Sequence, residues 1–467
     1  MLFSSLTFLY MFLPCVTLLY FISPKQTKNF VLLVSSLVFY AWGEPRFVAV
    51  MLVSIIMGYV FGILIEKFNE RPLLSKSLTV LSVISSLSTL FYFKYANFFI
   101  ENFSKIFGIS VPLLNVVLPI GISFYTFQIL SYTVDVYRGN TKAQKNFINL
   151  ATYISFFPQL IAGPIVRYTH IEKELSQRTH SFEKIAYGIK RFIYGLSKKI
   201  ILANSFGELC ALFNQSSEKT VLFYWIYIIS FMLQIYFDFS GYSDMAIGLG
   251  KIFGFNFPEN FRYPFASKTI TDFWRRWHIT LGSWFRDYVY IPLGGSRCSK
   301  PKMLLNIFTV WMLTGFWHGA EWNFVLWGIY FAILLIIEKF FLLKFLGKRK
   351  ILSHIYVFFF ITVSFVIFAT DSPNAALTHL ASMFSLSKLP LVSPESIYYL
   401  KSFAPTLILG LIISAALLKK MQPAIATSKL AKNTLEVSEI IFILTLFTVC
   451  TAYLVDGSFN PFLYFKF

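Results

Sequence analysis

The feature that most constrains this chain is an apolar run, repeated many times, about as long as a bilayer is thick. A helix needs about 20 consecutive apolar residues to cross the hydrocarbon. Stretches such as Val31–Ala41, Phe47–Ile65 and Val221–Ile235 recur along all 467 residues. Candidate spans lie near 3–23, 29–43, 46–65, 77–98, 219–239, 303–317, 322–346, 351–370, 402–419 and 436–455. Segments 112–134, 147–166 and 183–204 are apolar but interrupted by Pro, Gly or charge. The expectation is an all-α integral membrane protein with roughly eleven spans, plus shorter helices that enter without crossing. Only 13% of residues are charged, against about a quarter in soluble domains. Soluble-enzyme, nucleic-acid-binding and secreted disulfide classes are excluded. No loop of domain size and no internal repeat interrupts the chain, so residues 1–467 read as one membrane-embedded domain.

Charge sets orientation rather than partner. The 41 basic residues exceed the 22 acidic ones, but they sit in short loops between apolar runs, where sidedness and anionic head groups account for them. Lys25 and Lys28 lie in the 24–29 turn, and Lys67, Arg71 and Lys76 in 66–76. The positive-inside rule then puts Met1 outside the cell and the 24–29 turn in the cytoplasm. The first 23 residues carry no Lys or Arg and read as a retained span, since a cleavable signal opens with positive charge. Cys15, Cys210, Cys298 and Cys450 are scattered, which supports neither a disulfide nor a zinc site.

Four stretches between about 119 and 327 break the apolar grammar. Pro119–Gln128, followed by Asp135, and Phe157–Arg167 pair Gly with Pro inside apolar sequence. Such breaks are tolerated at membrane depth only beside protein or a water-filled cavity; a simple Pro kink is the alternative. In Gln234–Asp244, Asp238 and Asp244 stand six residues apart, on different faces of a straight helix. A break at Gly241 would turn both toward one cavity, and pairing with nearby cations is the plainer role for Asp244. No metal site is expected, because too few ligands converge.

The densest stretch is Thr271–Gly295, with Asp272, Trp274, Arg275, Arg276, Trp277, His278 and Arg286. Asp272 is spaced to pair with Arg275 or Arg276 on a helix. An interfacial helix held by Trp and Arg is the plain reading. A basic, aromatic surface also suits a phosphate-rich, adenine-bearing donor. Forty residues on, His318 closes an apolar run between Gly315 and Gly319, with Trp317, Glu321 and Asn323 beside it. An ionisable side chain at membrane depth marks a functional site by default, and the flanking glycines would let a substrate approach the backbone. An interhelical hydrogen bond is the structural alternative. The chain has no GxSxG elbow, HExxH or Walker loop. What survives is general-base acyl transfer, in which His318 takes a proton from a hydroxyl as it attacks an acyl carbonyl.

Phe157–Arg167, Asp238–Asp244, Asp272–Gly295 and Trp317–Asn323, with Phe39–Gly43 upstream, resemble in the same order the bacterial branch of the membrane-bound O-acyltransferase (MBOAT) family. The alginate O-acetylase and peptidoglycan O-acetyltransferase membrane subunits are the nearest likeness, and the teichoic acid D-alanyl transfer protein is more distant. The resemblance implies a ring of transmembrane helices around a central funnel in the bacterial cytoplasmic (inner) membrane. It makes His318 catalytic and His278 its assistant. Arg275, Arg276, Arg286, Trp274, Trp277, Asp238, Asp244, Trp317 and Asn323 are candidate donor- and substrate-binding residues, and anchoring against lipid phosphate is the alternative for the three arginines. The resemblance implies acetyl-CoA or an equivalent thioester as donor, and a separate extracytoplasmic SGNH-type transferase or esterase as partner. Lys-, Ile-, Phe- and Asn-rich composition, typical of AT-rich genomes, tilts the substrate from alginate toward peptidoglycan. The chain end, Phe459–Phe467, resembles the tail of a companion peptide in D-alanylation systems, so Tyr464 is a candidate acyl relay. Two other readings stay open: a proton-coupled transporter of an envelope precursor, and a long-chain acyltransferase of the same family.

Overall fold

The computed structural model describes residues 1–416 and 429–457, with side-chain surroundings given outside 429–434. Among the described residues the regular structure is entirely helical. Among the described residues, seven helices are long and apolar enough to cross a membrane: Pro45–Lys67, Pro72–Phe107, Val221–Ile252, Trp322–Leu346, Lys350–Ala369, Pro394–Ser414 and Leu435–Val455. Phe8–Ile22 and Lys28–Gly43 are apolar but shorter. The sequence expectation of roughly eleven spans thus meets seven helices of full length, because several apolar stretches end early. Helix Ile122–Tyr137 begins only after a left-handed Gly121. Past Ser155 the chain makes one short turn of helix, Phe157–Leu160, before running irregularly to Arg167.

The chain forms two compact units. One comprises residues 1–192 and 245–258, the other 193–244 and the described residues from 259 onward. The first unit is knit by buried aromatics. Phe157 packs on Phe3, Phe8 and Phe39, and the neighbouring Phe156 packs on Phe253, Phe255 and Phe257. Phe156 and Phe157 are almost wholly buried. In this way the Pro-broken segment becomes core rather than a loop.

The second unit carries the remaining unusual residues. Its core joins Phe206, Phe237, Phe273, Trp277, Trp327 and Phe365. The expected break at Gly241 does not occur, and Val221–Ile252 runs unbroken through it. A Cβ at Gly241 would stand 2.7 Å from the Gly195 carbonyl oxygen, so the residue is small to let two backbones meet rather than to bend one.

Candidate active site

The long helix sends its two aspartates to separate cations. Asp238 meets Lys199 at 3.0 Å, both nearly buried, and Lys199 also donates to Asn204 Oδ1 at 3.0 Å. Asp244 pairs with Lys198 at 2.6 Å. Charges taken this far from water persist only when paired and hydrogen-bonded. Asp238 also lines a cavity.

The segment expected to be one interfacial helix is two short helices, Ile270–Trp274 and Ile279–Phe285. Between them His278 takes a left-handed conformation (φ 44°). That region is sparsely populated for non-glycine residues and commoner for His than for most; an observed outlier of this kind often marks a functional position. Asp272 pairs with Arg276, four residues on, at 2.9 Å. Two contacts fix where the segment starts. The Thr269 hydroxyl oxygen accepts from the Asp272 N–H at 2.9 Å, an N-cap. The wholly buried Glu338 carboxylate accepts from the Ile270 and Thr271 N–H groups at 2.6 and 2.9 Å, matching negative charge to the positive end of the helix.

His278 is buried, edge-on to Phe239 at 4.7 Å and beside Trp317 at 5.9 Å. Its tautomer follows from Asn260. The Asn260 Oδ1 accepts from the Thr280 N–H (3.3 Å) and hydroxyl (2.9 Å), while Nδ2 donates to Ser243 Oγ at 3.1 Å. An oxygen so engaged is an acceptor toward His278 Nδ1, 3.2 Å away, so the proton sits on Nδ1 and Nε2 keeps its lone pair. Nε2 is buried and accepts no hydrogen bond within the described residues. His278 lines a cavity together with Trp274, Arg275, Ser283, Arg286 and Lys339. Arg286 is largely exposed there and pairs with Asp287 at 2.6 Å.

His318 ends helix Lys300–His318, which stops where Gly319 turns extended. This helix lies against Trp322–Leu346 with almost no space between them. A Cβ at Gly315 would stand 2.2 Å from the Phe324 carbonyl oxygen, and one at Gly328 2.4 Å from that of Trp311. These glycines therefore serve helix–helix contact, and the expectation that Gly315 and Gly319 open the backbone to substrate is replaced by packing: a Cβ at Gly319 would meet the Phe324 ring at 2.2 Å. The His318 ring is boxed by Trp317, Trp327 and Phe368 at 5.1, 5.2 and 5.6 Å. It lines a second, small cavity with Asp238, Trp274, Trp277, Ser364 and Phe365.

Trp274 belongs to both cavities, and its indole N–H is buried with no acceptor among the described residues. Arg275 and Arg286 share the His278 cavity, whereas Arg276 lines a third, separate groove. Asn323 is not among the residues lining the two histidine cavities; its Nδ2 donates to the Thr370 carbonyl at 2.9 Å, tying two helix ends together. Tyr464 lies outside the described residues. Sequence reasoning missed Asn260, Glu338 and Lys339. Asn260 and Glu338 act on partners 18 to 68 residues away, and no local spacing signals that.

Comparison with known proteins places the chain in a family. The profile of the MBOAT, membrane-bound O-acyltransferase family matches residues 141–370, which include both histidines. The probable alginate O-acetylase of Azotobacter vinelandii is 36% identical over the whole of both chains. The peptidoglycan O-acetyltransferase of Helicobacter pylori is 33% identical, covering 90% of this chain and 87% of its own. The teichoic acid D-alanyltransferase of Bacillus subtilis is 31% identical over 55% of this chain and 70% of its own. Full-length likeness of this order, on a multi-pass helical chain, makes this protein a member of the membrane-bound O-acyltransferase family.

Proposed function

We propose that this protein is a membrane O-acetyltransferase that takes acetyl from a cytoplasmic thioester, acetyl-CoA or an equivalent, and passes it outward to a cell-envelope polysaccharide. The observation that carries this reading is the pair of cavities meeting at Trp274, one lined by His278 and three cations, the other by His318 and aromatic rings. Phosphates would meet Arg275, Arg286 and Lys339, and a slender thioester arm would reach inward past Ser283 to Trp274. His318 is then the general base. A hydroxyl oxygen attacks the thioester carbonyl carbon, the C–S bond breaks, and the proton passes through His318 to the departing thiolate. The Trp274 N–H is suited to hold the carbonyl oxygen as negative charge develops on it. His278, held on Asn260, offers its Nε2 as an acceptor beside the donor.

The finer architecture belongs to the same proposal: a ring of helices around a central funnel, in the bacterial cytoplasmic membrane, with Met1 outside. Peptidoglycan is the proposed polymer on the AT-rich composition. Alginate is the second reading, favoured by the several probable alginate O-acetylases among the relatives. An extracytoplasmic SGNH-type enzyme would complete the transfer. Tyr464 is proposed as the acyl-accepting hydroxyl on the way there, and Tyr464→Phe removes only that hydroxyl. Incubating the purified protein with labelled acetyl-CoA and labelled palmitoyl-CoA tests the donor. Release of acetyl alone supports the reading; palmitoyl transfer, or ion-coupled uptake in proteoliposomes with no acyl release, overturns it.

A further inference from the structure

Arg276 belongs to a groove on the second unit that shares no lining residue with either histidine cavity. Its long wall is apolar: Met232, Leu233, Phe358, Ile408, Leu411 and Ile412. Its other end is polar and cationic, formed by Lys268, Arg276 and His354. Lys268 is exposed and pairs with no carboxylate among the described residues. Arg276 is held by Asp272 through Nε alone, one of its five N–H donors. His354 Nδ1 lies 3.1 Å from the Ser267 carbonyl oxygen and is engaged there.

The placement of that end is informative. Ser414, Ala415 and Ala416 of the groove stand where span Pro394–Ser414 stops, and His354 stands one turn into span Lys350–Ala369. The cationic end therefore lies near helix ends, while Ile408, six residues before Ser414, and Phe358, eight residues past Lys350, lie about 9 and 12 Å further along their spans. The loop leading into His354 adds Lys344, Lys348, Arg349 and Lys350. Such a concentration marks a cytoplasmic boundary, where the leaflet carries anionic lipid. An apolar trough running from hydrocarbon depth to a two-cation mouth at that boundary has the polarity of a phospholipid.

We propose that this groove binds one anionic phospholipid of the cytoplasmic leaflet, its phosphate between Lys268 and Arg276 and an acyl chain along Ile408, Leu411 and Ile412. Arg276 is two residues from His278, so the bound lipid would also brace the segment that carries the active-site loop against the bilayer.

Native mass spectrometry of the full chain, exchanged from phosphatidylglycerol- or phosphatidylcholine-containing micelles into lipid-free detergent, tests this. Wild-type protein retains one phosphatidylglycerol and little phosphatidylcholine. Lys268→Glu, an exposed position, lowers the retained phosphatidylglycerol about fivefold or more. Ile412→Trp, which fills the trough and leaves the cations in place, lowers it similarly. Equal retention of the two lipids, undiminished phosphatidylglycerol in both variants, or a dimer that Ile412→Trp dissociates would each overturn the proposal.

Discussion

At the scale of single residues, the chemistry rests on which nitrogen carries a proton and which donor lacks an acceptor. His278 is fixed as the Nδ1–H tautomer by Asn260, and the Trp274 N–H stands buried between two cavities. If that N–H holds the thioester carbonyl oxygen, Trp274→Phe keeps the aromatic packing and removes the donor. It is expected to lower kcat about 10²-fold with donor KM nearly unchanged. Steady-state kinetics on the purified variant measures this, and a KM effect without a kcat effect would limit Trp274 to walling the cavity. His318 and His278 both stood out in the sequence, His318 as an ionisable ring closing an apolar run and His278 within the dense Trp- and Arg-rich stretch, and the structure puts a cavity beside each. Their supports did not stand out. Asn260 sits in an irregular stretch after a long helix, and its role depends on a chain reversal that brings Ser243, His278 and Thr280 to one amide. Arg276 illustrates the opposite error: adjacency to Arg275 suggested a shared role, yet the two side chains line different cavities.

At the scale of elements, the glycines and the buried carboxylate decide where the histidines are. Gly315 and Gly328 let Lys300–His318 and Trp322–Leu346 touch backbone to backbone, which sets the depth of His318 without either glycine touching substrate. Gly328→Ala puts a methyl 2.4 Å from the Trp311 carbonyl oxygen, so the helices must part. A destabilisation of about 1–3 kcal/mol is expected, with activity falling more than folded protein does. Thermal unfolding alongside activity per folded molecule checks it. A variant with full activity and unchanged melting would show that the pair tolerates separation. Glu338 does the corresponding work for the His278 segment by satisfying two N–H groups at the start of Ile270–Trp274. Periodicity located most of the long apolar helices within a few residues. It misjudged Gly241, because a glycine that bends a helix and one that lets two helices meet are identical in sequence.

At the scale of the whole molecule, apolar runs and loop charge carry the architecture, and both are properties of sequence. The family resemblance reached the same class, and 36% identity across the full chain agrees with it. The proposed orientation makes a simple prediction. A cysteine placed at Lys25 should react with an impermeant maleimide only in inside-out vesicles, and one at Arg46 only in intact cells; the reverse pattern would invert the positive-inside assignment. What the sequence could not supply is the division of the polar centre into two histidine-lined cavities sharing a tryptophan, since residues 238, 274, 318 and 365 meet only in three dimensions. The central claim is that His318 is the base of an acyl transfer. The most direct test is the initial rate of labelled acetyl release from acetyl-CoA by purified His318→Ala, compared with wild type at equal amounts of folded protein. The rate is expected to fall by about 10²–10⁴-fold with donor KM little changed. A rate within about twofold of wild type would remove His318 from the chemistry.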